Sequence, residues 1–218
     1  MGYNIAIDGP AGAGKSTIAK LVAKELGFIY VDTGAMYRAL AVYFLDQGIR
    51  AEDTDKIIQA VGQAEVKIRY EEGIQQVYLN GVNVTGRLRE EAVGNMASKS
   101  SAIPEVRAKL LDLQRGLAQE EDVVMDGRDI GTCVLPEADV KVFLTASVET
   151  RARRRYDELQ EKGVPCDLEE IKANIRERDE RDMTRETAPL RQADDAVLID
   201  SSDMTIPEVT AAIAALCK

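Results

Sequence analysis

The stretch GPAGAGKS, residues 9–16, decides the fold, because it fits the phosphate-loop pattern G-x-x-x-x-G-K-[ST]. The apolar run YNIAID precedes it, as a buried strand would, and apolar residues at helical spacing follow it. Glycines let the backbone curl so that several N–H groups point at phosphate oxygens, and the helix start adds its positive end. The stretch therefore predicts a strand, a phosphate-binding loop and a helix in direct succession.

The loop pattern assigns chemistry to individual side chains. Lys15 can reach the β- and γ-phosphates of a nucleoside triphosphate, and the Ser16 hydroxyl can ligate Mg²⁺. Asp126 ends the apolar strand pattern VVMDG, where an aspartate often holds Mg²⁺ through water. The predicted nucleotide-binding residues are Gly9, Pro10, Ala11, Gly12, Ala13, Gly14, Lys15, Ser16 and Thr17. The spacing is not G-x-G-x-x-G, so a dinucleotide site is not expected.

Beyond this loop, strand patterns alternate with helical patterns along the 218 residues. The alternation predicts an α/β fold with a parallel central sheet covered on both faces, in one domain over residues 1–218. Alternating apolar runs, with Asn80-Gly81 between two of them, predict a small antiparallel insertion over about residues 63–95. Two charged helices are expected over about residues 147–163 and 168–184.

The composition narrows the possible partners. The chain holds 38 acidic and 28 basic residues and has a formal net charge of −10. An acidic surface repels phosphodiester backbones, so we expect no nucleic-acid polymer as a partner, although clustered arginines could still hold a small anion. The chain has no histidine, which removes the usual general base. No apolar run is long enough for a membrane span, and we expect a cytoplasmic monomer.

The stretch RERDERDMTR, residues 176–185, is where such an anion would bind. On a helix, positions three and four apart share a face, so Arg178, Arg181, Asp182 and Arg185 form one stripe, with Glu177 pointing elsewhere. An excess of arginine on one stripe predicts a bound phosphate group. The alternative is a solvated helix surface with a simple ion pair between Glu177 and Arg181.

Motifs that are absent from the chain and motifs that are present together indicate which class of molecule accepts the phosphate. No guanine-reading N-K-x-D is present, and a short chain with arginine-rich helices favours a small-molecule kinase. The segments IDGPAGAGKST, DTGAMYR, DGRDIGT and RERDERDMTR, the last followed by APL, together resemble bacterial cytidylate kinases over about residues 5–206. The resemblance implies a three-layer P-loop kinase core with a β-rich monophosphate-binding insertion and a short lid, at about residues 153–164. It also implies transfer of the γ-phosphoryl group of ATP to CMP, and to dCMP, with Mg²⁺ as cofactor.

The same resemblance implies a set of acceptor-site residues. Thr33, Arg38 and Arg128 would lie beside the monophosphate, and Ser98, Arg107 and Asp129 would face the cytosine. The residues that would hold ribose and phosphate are Arg178, Asp182 and Arg185. The implied catalytic residues are Lys15, Arg128, Arg178 and Arg185.

Other interpretations of the sequence remain open. A kinase with the same core could use another small acceptor, such as UMP, AMP or shikimate. A regulatory module could bind the nucleotide without transferring phosphate. The basic run RARRR, residues 151–155, could be a solvated helix surface, a nucleic-acid patch or part of the lid, with Arg154 or a neighbour covering the transferred phosphate.

Overall fold

The structure is a computed structural model that describes residues 2–217. The strands are β1 (Asn4–Asp8), β2 (Ile29–Asp32), β3 (Val66–Glu71), β4 (Ile74–Leu79), β5 (Val82–Asn83), β6 (Val123–Gly127), β7 (Val140–Thr145) and β8 (Val197–Asp200). The helices are α1 (Lys15–Leu26), α2 (Thr33–Asp46), α3 (Thr54–Val61), α4 (Glu91–Ser100), α5 (Pro104–Glu120), α6 (Val148–Glu161), α7 (Leu168–Thr184) and α8 (Ile206–Ala214). A 3-10 turn spans Thr85–Arg87 and a π-helical turn spans Ile130–Val134.

The central sheet has five strands in the order β2-β6-β1-β7-β8, and every neighbouring pair is parallel. At the carboxyl end of the sheet, Asp8 on β1 lies opposite Gly127 on β6 and Phe143 on β7. All five residues of β6 are buried, as expected of a strand with both faces covered. The predicted α/β fold with a parallel central sheet is confirmed.

Each face of the sheet carries its own apolar core, which gives the molecule three layers. On one face α2 packs through Met36, Leu40 and Phe44, a spacing of one helical turn. On the other face α1 and α8 pack together, and Val22 and Ile213 are fully buried there. The sheet is thus held from both sides, and its carboxyl edge carries the loops that form the site.

Strands β3, β4 and β5 form a separate antiparallel sheet. Asn80 and Gly81 link β4 to β5 with positive φ angles of 48° and 84°, so the hairpin predicted from this pair is confirmed. Gln75 joins the small sheet to the core, since its side-chain amide accepts from the Asp32 N–H at 2.9 Å and donates to the Asp32 carbonyl at 3.2 Å. The small sheet therefore lies against the carboxyl end of β2.

The second half of the expected antiparallel segment differs from the prediction. The strands end at Asn83, and the chain continues through the 3-10 turn into α4. Gly94 and Asn95 lower the helix propensity of this segment, which hides the helix in the sequence. The helix forms because Val93 and Met96 are buried in the core that also holds α2, so tertiary packing overrides propensity.

Helices α6 and α7 are joined by residues 162–167 and pack against each other, which confirms the two charged helices expected there. Their packing surface includes buried charge, namely the ion pair between Arg151 on α6 and Asp179 on α7. Within the described part of the chain, no helix combines the length and the apolar character needed to cross a membrane.

Candidate active site

The phosphate loop connects the end of β1 to the first residue of α1. Gly12 and Gly14 have positive φ angles of 77° and 86°, and Gly14 precedes the first helical residue, Lys15. A Cβ at Gly9 would lie 1.9 Å from the carbonyl oxygen of Leu144 on β7, so a larger residue does not fit there. The backbone geometry of the loop therefore requires glycine at these positions.

Lys15 is buried at the mouth of the loop, with 5% of its surface exposed. Its Nζ donates to the Pro10 carbonyl at 2.7 Å, so the side chain reaches back across the loop. Burial and repulsion from Arg128 lower the pKa of Lys15. The lysine therefore lies close to Arg128, the residue that directly follows strand β6.

Asp126 accepts hydrogen bonds from three hydroxyl groups near the end of β6. Its carboxylate accepts from Ser16 Oγ at 3.0 Å and from Tyr30 Oη at 2.8 Å, and its carbonyl accepts from Thr33 Oγ1 at 2.7 Å. Burial and the nearby charge of Asp32 raise the pKa of Asp126. Tyr30 was not identified from the sequence, because a tyrosine in a strand pattern gives no indication that its hydroxyl meets a carboxylate.

This arrangement fits Mg²⁺ bound together with a nucleotide. Mg²⁺ usually takes one or two protein oxygens and completes its shell with phosphate oxygens and water. Ser16 and Asp126 supply such oxygens beside Lys15. Among residues 2–217 no group of three or more histidine, cysteine or acidic side chains could form a dedicated metal cage.

Arg38, Arg128 and Arg178 bring positive charge to the same region from α2, the end of β6 and α7. Burial and the charge of Arg128 and Arg38 lower the pKa of Arg178 to about 10. Burial also lowers the pKa of Arg38. The Arg178 Nε is buried and has no hydrogen-bond partner among the described residues. Arg128 Nε donates to Asp182 Oδ2 at 2.9 Å, which neutralises only part of this charge.

A second group of charges surrounds Asp129, which is 4% exposed. Arg107 Nη2 donates to one carboxylate oxygen, and Arg185 Nη2 lies 3.5 Å from the other. Arg107 also donates to the Ser101 carbonyl at 3.2 Å, and its guanidinium lies 5.5 Å from the ring centre of Tyr37. These partners hold a carboxylate and two guanidinium groups in one small space.

Arg181 differs from the arrangement expected of the α7 stripe. Its Nη2 donates to Glu177 Oε1, so our prediction that Glu177 points elsewhere is wrong: the two are neighbours at i and i+4. Its Nη1 donates to Ser98 Oγ at 3.1 Å, which places the hydroxyl of Ser98 beside α7. Arg185 is paired with Asp129, so the uncompensated charge of the stripe lies on Arg178, next to Asp182.

Two further residues were not identified from the sequence as parts of the site. Asp8 accepts the backbone N–H groups of Ile130 and Gly131, and burial raises its pKa to about 6. Arg151, the first residue of RARRR, donates to the Ala11 carbonyl of the phosphate loop at 3.0 Å and is paired with Asp179. A basic run in a sequence gives no sign of which arginine turns inward, so this contact could not have been predicted.

Comparison with known proteins identifies the family. Residues 5–218 match the family described as Cytidylate kinase. The chain belongs to the cytidylate kinase family. A cytidylate kinase of Caldicellulosiruptor saccharolyticus is 52% identical over 206 residues, covering 94% of this chain and 91% of that relative. A cytidylate kinase of Streptococcus sanguinis is 50% identical over 210 residues, covering 96% of this chain and 93% of that relative. The family resemblance of the sequence motifs is confirmed.

A solved structure shares the fold of this family member. An uncharacterized protein from Eubacterium ventriosum superposes with a TM-score of 0.51 and 15% sequence identity, covering 98% of this chain and 96% of that one. At this identity the likeness concerns the fold alone.

Proposed function

We propose that this member of the cytidylate kinase family transfers the γ-phosphoryl group of ATP to CMP and dCMP, giving ADP and CDP or dCDP. The supporting observation is the convergence of Lys15, Arg38, Arg128 and Arg178 on one pocket of a protein with a net charge of −10. Buried like charges repel one another, and phosphate groups on two substrates would neutralise them.

On the donor side, the phosphates of ATP lie in the loop of residues 9–17. Backbone N–H groups of the loop and the start of α1 contact the phosphate oxygens, and Lys15 leaves the Pro10 carbonyl to reach the β- and γ-phosphates. Ser16, and Asp126 through water, would hold Mg²⁺, which would supply positive charge to compensate the phosphate groups of ATP.

On the acceptor side, the monophosphate contacts Thr33, Arg38, Arg128 and Arg178. Asp129, Arg107 and Ser98 face the cytosine, and Asp182 and Arg185 face the sugar. The antiparallel sheet of β3, β4 and β5 lies on this side, because Gln75 is hydrogen-bonded to Asp32, the residue before Thr33. Residues 153–164 serve as the lid.

The chemistry needs alignment and charge compensation more than proton transfer. The attacking group is a phosphate oxygen of CMP, which is already ionised near neutral pH, so the absence of histidine is no obstacle. The transferred phosphoryl group passes through a loose transition state with its charge on the outer oxygens. Lys15, Arg128, Arg178 and Arg185 compensate that charge. Because water would hydrolyse ATP in an open site, the lid closes over both substrates.

The charges around Asp129 favour cytosine over uracil. A carboxylate accepts from the exocyclic amino group of cytosine, and the Arg107 guanidinium donates to its ring acceptors. Uracil presents a carbonyl and an N–H in those positions. The buried carboxylate would then face another acceptor, at a cost of about 1–3 kcal/mol.

A panel of acceptors tests the proposal. ADP release is followed by a coupled assay with ATP and Mg²⁺, using CMP, dCMP, UMP, AMP and shikimate at equal concentrations. We expect CMP and dCMP to give the highest kcat/KM. Equal or higher values with another acceptor, or no turnover with any of them, would contradict the proposal. We also propose a cytoplasmic monomer, and sedimentation at assay concentration would test the oligomeric state.

A further inference from the structure

Asp8 is a buried carboxylate to which the proposed reaction assigns no role. It is the last residue of β1, directly before Gly9 of the phosphate loop, and 4% of its surface is exposed. Burial of a carboxylate costs free energy unless hydrogen bonds compensate it, so its partners indicate what it does.

The partners of Asp8 lie in the loop that carries Arg128 and Asp129. Asp8 Oδ1 accepts from the Ile130 N–H and Oδ2 from the Gly131 N–H, each at 2.7 Å. These two N–H groups begin the π-helical turn, in which the Cys133 N–H donates back to the Asp129 carbonyl at 2.9 Å. The first N–H groups of a helical turn have no partner within it, so the carboxylate caps this turn from another strand.

Gly131 allows the close approach of this cap. A Cβ at Gly131 would lie 3.4 Å from Asp8 Oδ2 and 3.2 Å from Cδ of Lys141, which is tighter than ordinary packing on the lysine side. We call Asp8 with the N–H groups of Ile130 and Gly131 the carboxylate clip. An alanine at Gly131 would press against the Lys141 side chain and so crowd the backbone of the clip, without changing Asp8 itself.

The carboxylate clip adds two hydrogen bonds between the β1 side and the β6 side of the sheet, beyond the last backbone pair of these two strands. Strands β1 and β6 pair up to Asp8 opposite Gly127, after which one chain enters the phosphate loop and the other continues to Arg128 and Asp129. A connection between these two loops fixes the distance between the groups proposed to hold ATP and those proposed to hold CMP.

We propose that Asp8 is a positioning residue, which holds Arg128 and Asp129 in register with the phosphate loop. Its two hydrogen bonds fix the backbone directly after Asp129. A displacement of the groups that align two substrates by about 1 Å costs on the order of a hundredfold in rate. The proposal rests on the proposed phosphoryl transfer to CMP, and it adds the element that aligns the acceptor with the donor.

Two variants test the clip. Asp8→Asn keeps the shape of the side chain but turns one acceptor into a donor that faces an N–H group. Gly131→Ala crowds the clip from the other side. In each, we expect KM for CMP to rise and the preference for CMP over UMP to fall, both by roughly fivefold or more, while ATP affinity falls by less than about twofold. A fluorescent ATP analogue measures that affinity without turnover.

Asp139→Asn is the matched control, since Asp139 also accepts a backbone N–H from β1, that of Asn4, but at the opposite end of the strand. This control should leave both KM values unchanged. If Asp8→Asn and Gly131→Ala only lower the unfolding temperature and leave the CMP parameters as in the wild type, Asp8 has a merely structural role and the proposal is overturned.

Hydrogen exchange separates this proposal from the proposed reaction. In Asp8→Asn, peptides spanning residues 128–134 should exchange at least about tenfold faster than in the wild type, while β1 remains protected. Unchanged exchange of residues 128–134 overturns the clip whatever the activity. A wild type that fails to phosphorylate CMP contradicts the proposed function, and the exchange result still decides whether the clip exists.

Discussion

Individual cations in the pocket are only partly neutralised by the protein. Arg128 has Asp182 as a partner, whereas Lys15 donates to a carbonyl and the Arg178 Nε has no partner among residues 2–217. Incomplete pairing of buried charge destabilises the protein unless a ligand completes it. In the proposed function, the phosphate groups of the two substrates would complete this pairing.

Removal of the Lys15 charge should abolish phosphoryl transfer. Lys15→Met keeps the buried aliphatic stem, so we expect the fold to be retained while kcat falls at least about a thousandfold. The coupled ADP assay measures kcat, and circular dichroism checks the fold. Lys24→Ala, on the exposed side of the same helix, is the control and should keep full activity. Normal turnover by Lys15→Met would refute the assignment of the phosphate loop.

Removal of the Asp129 carboxylate should weaken discrimination between pyrimidines. In Asp129→Ala, Arg107 and Arg185 lose the acceptor that they share. We expect the ratio of kcat/KM for CMP to that for UMP to fall by about tenfold. Asp112→Ala, an exposed position on α5, should leave the ratio unchanged. An unchanged ratio in Asp129→Ala would remove Asp129 from the cytosine site.

At the scale of elements, a buried ion pair joins α6 to α7, and its arginine also hydrogen-bonds the phosphate loop. Both Nη groups of Arg151 donate to the Asp179 carboxylate, at 3.0 and 2.6 Å, and Nη1 also donates to the Ala11 carbonyl. A guanidinium matches a carboxylate in two-point geometry, which a lysine could not reproduce. The phosphate loop and the helices that carry Arg154 and Arg178 are thereby held as one unit.

Breaking this buried pair should destabilise the fold more than breaking an exposed pair between the same helices. Asp179→Asn leaves the Arg151 charge buried without its counter-ion, and we expect the free energy of unfolding to fall by about 3 kcal/mol. Arg176 and Glu149 form the exposed pair, and Glu149→Gln should cost less than about 0.5 kcal/mol. Urea unfolding measures both. Equal effects of the two substitutions would show that the buried pair contributes little.

At the scale of the whole molecule, a chain of net charge −10 brings Lys15, Arg38, Arg128 and Arg178 together in one region. The acidic surface around this region repels nucleic-acid polymers.

The charge distribution predicts no binding to nucleic acid through RARRR. Arg151 is buried and Arg154 donates to the Ser201 carbonyl at 2.7 Å, so the run offers fewer free cations than its sequence indicates. We expect no retention on immobilised single-stranded DNA or RNA at low salt. Retention that disappears as salt is raised would contradict this prediction.

Folding should also be linked to the protonation of Asp8. Its pKa in the folded protein is about 6, above its ordinary value of 3.8, because it is buried, and it faces both Lys15 and Asp129. The folded state then binds more protons than the unfolded state, so this stabilisation is present below the ordinary pKa and is lost as the pH rises through 6.

Asp8→Asn removes that titration while leaving Asp126 to titrate in both proteins. Between about pH 5.2 and 7.5, the free energy of unfolding of the wild type should fall by roughly 1 kcal/mol relative to that of the variant. Urea unfolding across this range measures the difference. A constant difference would place the pKa of Asp8 near its ordinary value.

Local patterns were sufficient for much of the fold. The glycine-rich stretch before Lys15, the alternation of strands and helices, and the Asn80-Gly81 hairpin depend on backbone preferences and periodicity, which act between near neighbours in the chain. Helix α4 was missed because Gly94 lowers its local propensity, and only burial of Val93 against distant residues makes it helical.

The sequence by itself determined that a phosphate loop follows the first strand of a parallel α/β sheet. It also showed arginine-rich segments whose charge predicts a bound anion. Only the tertiary structure decided which charges turn inward and meet. Asp8 meets Gly131 across 123 residues, and Arg151 meets Ala11 across 140. The reason is physical: side-chain charges acquire shifted pKa values and fixed partners from burial, and burial depends on which distant segments pack together.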